Sequence, residues 1–126
     1  MYILTSPIYI PVSKRKNFAL NLNAYRNAHY QVLNKAKHLY KELMTDQIQS
    51  LPSFSHVTIN YILFPGSKRS MDVSNVCCIV DKFFSDALVE LGHLPDDNYH
   101  FLNKVFYSFG EVDKENPRVQ IELEGS

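Results

Sequence analysis

Cysteine is scarce in this chain: the two present, Cys77 and Cys78, are neighbours. Adjacent residues are poorly placed to bridge, and two thiols without a CxxC spacing or a nearby His pair make a poor zinc site. A disulfide scaffold and a zinc module are set aside, which leaves reduced, partly buried thiols as the plain reading. No apolar run approaches the roughly 18 to 20 residues that span a bilayer. The opening MYILTSPIYIP lacks the basic leader of a secretory signal. The default expectation is a cytoplasmic protein with no membrane partner. Internal repeats and low-complexity segments are also missing. Net charge is absent in total, thirteen Lys/Arg against thirteen Asp/Glu, which speaks against nucleic acid until the chain is divided. Residues 1–69 carry nine Lys/Arg and two Asp/Glu, a balance of +7, and residues 70–126 carry four and eleven, a balance of −7. Such a split marks polyanion binding or two halves that neutralise each other in the fold. Clustering of the acids as ligands is what would separate the two.

What is present suffices for one packed domain over residues 1–126: 45% hydrophobic residues and eight each of Phe and Tyr. Tyr2 to Val12 is β-rich but interrupted by Pro7 and Pro11, which predicts one or two short strands at a sheet edge. Ser13-Lys14-Arg15-Lys16 follows as a compact basic loop. From Leu22 to Met44 apolar residues recur at helical spacing, predicting one long amphipathic helix capped by Asn21 or Asn23. Its outer face carries Arg26, Lys35, Lys37, His38 and Lys41, which is either solvent surface or a phosphate-contacting face. Thr45 to His56 reads as a polar connection. Val57 to Phe64 is apolar on both sides, the signature of a central strand. Lys104–Phe109 and Arg118–Leu123 alternate and are joined by a polar connector, which predicts an antiparallel hairpin. The fold class expected is α+β, a mixed β-sheet with two main helices packed on it.

The stretch from Ser67 to Asn98 holds six of the thirteen acids, Asp72, Asp81, Asp86, Glu90, Asp96 and Asp97. A helix from about Ser74 to Leu91 places Val76, Val80, Phe83, Phe84, Ala87 and Leu88 on one core-facing stripe. Ser74, Cys78, Asp81, Lys82 and Ser85 share the opposite stripe. Gly92 suits the C-terminal cap, Pro95 prevents continuation, and Asp96-Asp97 sits in the exit loop. Taken singly, each acid has an ordinary reading: Asp72 or Ser74 as a helix cap, Asp96-Asp97 as a polar turn.

Taken together, Lys68-Arg69, then Asp72-Val73-Ser74-Asn75, Lys82, Asp86-Ala87-Leu88, Gly92 and Asp96-Asp97 form a layout that resembles the RusA-type Holliday-junction resolvases of phages and prophages. The order of flanking elements looks like that family as well, so the resemblance spans nearly the whole chain, with its specific part in the central thirty residues. It implies a RusA-like fold and a homodimer in a bacterial or phage-infected cell. It implies, too, an endodeoxyribonuclease that cuts four-way junctions in DNA recombination and repair with Mg²⁺, or Mn²⁺ in its place, held by aspartates. Asp72 and Asp97 match two of the family's catalytic acids, and Lys82 matches its helix lysine. Two departures stand out. Ser74 occupies a position where the family pattern has a further Asp, and Lys82 follows Asp72 by ten residues instead of six. Four added residues are one helical turn, ~6 Å of rise, so Lys82 keeps its face but moves along the axis. On this reading Asp81, on the Lys82 stripe, supplies the missing carboxylate.

The candidate site is therefore Asp72, Asp81, Lys82 and Asp97, with the three aspartates as Mg²⁺ ligands. Lys14, Arg15, Lys16, Lys68 and Arg69, with the cations of the first helix, are the candidate DNA contacts. The alternative is a RusA-like module that binds DNA or protein without cutting, and Ser74 is the residue that favours it.

Overall fold

The computed structural model describes residues 1–68 and 72–126. Four strands form one mixed sheet in the order β1-β6-β4-β5: β1 Tyr2–Ser6, β4 Val57–Phe64, β5 Leu102–Phe109 and β6 Arg118–Gly125. β6 is antiparallel to β1 and β4, and β4 runs parallel to β5. β2 (Tyr9–Ser13) and β3 (Lys16–Ala19) make a separate hairpin. The helices are α1 Leu22–Asn27, α2 Tyr30–Gln49 and α3 Val73–Glu90. Among these described residues the fold is the expected α+β domain, and none of its helices is long and apolar enough to cross a membrane.

The alternation of β4 explains the layering. Val57, Ile59, Tyr61 and Leu63 are fully buried beneath the helices, and their neighbours Thr58, Asn60, Ile62 and Phe64 lie half-buried on the uncovered face. β6 matches this register with Val119, Ile121 and Leu123 inward. Ala36, Tyr40, Met44 and Ile48, spaced at one side of α2, and Val80, Phe83, Phe84, Ala87 and Leu88 of α3 close the core from above. Phe83 meets Tyr40 edge-on at 5.6 Å between ring centroids, joining the two helices. Burying a side chain of this size stabilises the fold by about 1.5–3 kcal/mol.

Three expectations need correction. The last two strands are not a hairpin: β4 lies between them, where its row Val57, Ile59, Tyr61 and Leu63 is fully buried at the middle of the core beneath the helices. The long first helix breaks at Ala28-His29, where both residues are extended and the His29 Nδ1 accepts from the Gln31 N–H at 3.2 Å, starting a new helix. That second helix runs on to Gln49, so the segment read as a polar connection begins five residues later than Thr45. Leu51 and Phe54 within it are buried.

Candidate functional site

Helix α3 arranges the candidate residues along its length, and its N-terminus comes first. Asp72 is the N-cap: one carboxylate oxygen accepts the Ser74 N–H at 3.2 Å and the Ser74 hydroxyl at 2.9 Å. A carboxylate here satisfies donors that the first turn leaves open and meets the positive end of the helix dipole. Ser74 thus works with Asp72 in the cap. Its neighbour Asn75 accepts the Leu22 N–H at 3.2 Å, fastening the start of α1 to the start of α3. Lys68 is exposed in the loop that leads to this cap. Arg69 lies outside the described residues.

Mid-helix, Asp81 is half-buried against the sheet. One of its oxygens accepts the Tyr61 hydroxyl at 3.0 Å and the Ser85 hydroxyl at 3.0 Å, and the other accepts the Tyr107 hydroxyl at 2.7 Å. Burial, followed by the Asp81 charge, pushes the Tyr61 phenol well above its ordinary range, and burial with the bond to Asp81 raises Tyr107. Both phenols stay protonated and donate. Asp81 therefore ties α3 to β4 and β5. Ser85, expected on the outer stripe, is buried at 4% exposure for the same reason. Lys82 points elsewhere: it is exposed, with Nζ 5.9 Å from the Tyr25 ring centroid of α1. Of the two thiols, Cys77 is buried and pushed up to about 12 by that burial and by the charges of Cys78 and Asp81, so it is inert.

The C-terminal half of α3 holds a third group. Lys82, Asp86 and Glu90 recur every four residues and line one face. Asp86 and Glu90 form one wall of a cleft of about 210 Å³ against Asn34, Lys37, His38 and Lys41 of α2. Lys41 is paired with Glu90 at 2.9 Å. The Asp86 carboxyl is raised above its usual range, first by burial, with Asp97 and Glu90 adding repulsion while Lys37 and Lys82 oppose it. Asp97, from the exit loop, thus acts on Asp86 through its charge. Within the loop Asp96 holds the turn, accepting from the Asp97 N–H at 2.8 Å and the Asn98 side chain at 3.0 Å. The Asp97 carboxylate is exposed and accepts no hydrogen bond among the described residues.

The candidates are thus spread over three places. Fourteen residues separate Asp72 from Asp86, which is ~21 Å of helix rise. Among the described residues no three His, Cys, Asp or Glu side chains lie together so as to hold one ion. Mg²⁺ itself asks for less: one or two carboxylates, with waters and substrate phosphate completing its shell. Asp97 meets that requirement, and Asp72 meets it through its second oxygen, whereas both oxygens of Asp81 are already engaged. Asp86, Asn75, Tyr61 and Tyr107 were not singled out as site residues. Only Asp86 left a signal, the four-residue spacing with Lys82 and Glu90.

Of the basic candidates, Lys14 and Arg15 form the turn of the β2–β3 hairpin and Lys16 opens β3. All three are exposed and make no ion pair among the described residues. In comparisons with known proteins, no family model and no curated protein matches this chain.

Proposed function

We propose that the chain is a Mg²⁺-dependent endodeoxyribonuclease of the RusA type, cutting branched DNA such as four-way junctions as a homodimer in the cytoplasm of a bacterial or phage-infected cell. The observation that carries this reading is the exposed carboxylate of Asp97, which accepts no hydrogen bond among the described residues and whose charge acts on Asp86, as do those of Lys37 and Lys82. Asp97 would hold the ion together with water and phosphate oxygens. When bound, the ion supplies an activated water and offsets charge on the leaving oxygen. Lys82, exposed on α3, offers a donor to a non-bridging phosphate oxygen. The exposed Lys14, Arg15, Lys16 and Lys68 extend the positive surface to flanking backbone, with Arg69 beside them in sequence.

The test is a labelled four-way junction incubated with wild type and with Asp97→Asn, with Mg²⁺, with Mn²⁺ and with neither. Wild type should nick only with metal, and Asp97→Asn should lose on the order of a hundredfold in rate while keeping junction affinity. Absence of nicking by wild type under every metal condition would overturn the reading. A second reading, a RusA-like module that binds branched DNA without cutting it, is favoured by two observations: Ser74 serves the Asp72 cap, and Asp81 is locked to hydroxyls. Tight, salt-sensitive junction binding without cleavage is its signature.

A further inference from the structure

The sheet has two edges, and they are finished differently. On β1, the Gln47 side chain accepts the Thr5 N–H at 2.8 Å and donates to the Thr5 carbonyl at 2.8 Å. That amide takes the place of a neighbouring strand and blocks the edge. Among the described residues β5 has no such cover: its main contacts with other elements are to β4 on its inner side and to α3. It runs eight residues without proline, and its only register shift is at the start, by Val57 and Thr58. Phe106, Tyr107 and Phe109 are 51%, 37% and 55% exposed. Natural proteins blunt such edges with charge, proline, bulges or a covering segment. Among the described residues, Val105 to Phe109 carries none of them.

The hydrogen-bond directions follow from the register. Gly110 N–H donates to the Leu63 carbonyl at 2.8 Å. In the parallel pairing of β4 with β5, the backbone groups of Phe106, Ser108 and Gly110 therefore point inward. Those of Val105, Tyr107 and Phe109 point outward, three residues symmetric about Tyr107. We infer that this edge is the joint between two copies of the chain, with β5 pairing antiparallel to β5 of the second copy on a two-fold axis at Tyr107. Tyr107 then faces Tyr107 of the second copy, and Val105 faces Phe109 in both directions. All outward groups are satisfied in six interchain bonds. Phe106 lies opposite Ser108 of the other copy on the uncovered face, so no aromatic ring is forced against its own image there.

Charge selects a second copy over an arbitrary strand. The paired segment is uncharged, but Lys104 precedes it and Glu111 follows it, both exposed. The antiparallel arrangement sets Lys104 of each copy opposite Gly110 and beside Glu111 of the other, so opposite charges meet at both ends. A parallel pairing would bring like charges together. Phe and Tyr each present about 200 Å², so at these exposures the three aromatics cover about 300 Å² per copy, below the ~800 Å² per partner of a standard interface. The association is accordingly a reversible one in which backbone pairing carries the specificity. The resemblance implied a pair but no surface, and this joint stands whether or not the chain cuts DNA.

Sedimentation of the full chain over a dilution series, with amide hydrogen exchange at each end of the series, tests it. Dimer should form on concentration, with slowed exchange at Val105, Tyr107 and Phe109. Phe109→Pro removes an outward N–H and leaves the β4 ladder intact, and should weaken the dimer at least about tenfold. Because that variant could unfold the strand, a charge pair provides the second measurement. Lys104→Glu and Glu111→Lys should each weaken association about fivefold and restore it when combined. A monomer at every concentration, a dimer in which those three amides exchange freely, or a double charge variant no tighter than the single ones would overturn the inference.

Discussion

Replacing Asp81 by alanine tests the role that the structure gives this residue. The carboxylate accepts from Tyr61, Ser85 and Tyr107, and hydrogen bonds to a charged group contribute about 1.5–3 kcal/mol each. The three donors are not equivalent. Tyr61 is fully buried and Ser85 is 4% exposed, so the variant leaves two interior hydroxyls without their acceptor. Tyr107 is 37% exposed and can turn to water. Ser85 can turn to the carbonyl one turn back, as helical serines do, at a smaller penalty. The sum is a loss of about 2–4 kcal/mol for Asp81→Ala. Tyr107→Phe removes only the most exposed donor and should lose about 0.5–1 kcal/mol. Urea denaturation followed by circular dichroism measures both, with an unchanged slope showing that the midpoint reports stability. A loss below about 1 kcal/mol for Asp81→Ala would refute the tie of α3 to the sheet through Asp81, and equal losses for the two variants would refute the ranking of its donors. Asp81→Asn keeps one acceptor oxygen and reverses one bond, its amide donating to a tyrosine hydroxyl, so it should lose less stability than Asp81→Ala, and a metal ligand would show a loss of cleavage out of proportion to that change.

Two further outcomes are expected. Asp86 has a folded-state pKa raised above its unfolded value, chiefly by burial. Its contribution to stability is therefore most favourable below the unfolded value and declines as pH rises through the folded one. Asp86→Asn should flatten that part of the stability profile in urea titrations between acid and neutral pH, and a profile unchanged from wild type would contradict the assignment. Gly92 closes α3 at φ 84°, and an added Cβ would meet nothing within 4 Å. Gly92→Ala should then lose about 1 kcal/mol from backbone conformation alone, measured by thermal melting, and no loss would show that the turn can relax.

The chain's alternation was enough to place the core faces and not enough to name the neighbours. Val57–Phe64 and Arg118–Leu123 both alternate, and that pattern says which side of each strand is buried. It is silent on which strand lies alongside, because every sheet position offers the same two faces. The expected hairpin assumed that strands adjacent in sequence pair. The stretch from Gly110 to Pro117 is long enough to pass over β4, and β4 takes the centre. The break at Ala28-His29 was invisible for a different reason. Neither residue is a strong helix breaker, and His29 acts as a cap through a ring nitrogen instead of the usual short oxygen side chain.

At the site, local signals were legible and long-range ones were not. Asp72 as a cap and Asp96 as a turn residue are local arrangements, and both were open readings of the sequence alone. The fate of Asp81 depends on Tyr61, twenty residues earlier, and Tyr107, twenty-six later. Only folding brings these together, and no spacing rule on α3 anticipates them. Helical periodicity set Asp81 and Lys82 on one stripe, yet adjacent residues diverge by about 100° around the axis. Here that angle is enough to send one toward the sheet and the other toward α1. The same rotation leaves Lys82, Asp86 and Glu90 in line, and the charge of Asp97 reaches Asp86 from the loop. The charged face of Lys82, Asp86 and Glu90 therefore lies toward the end where the chain leaves the helix, with Asp86 about four turns from the cap at Asp72 where the motif begins.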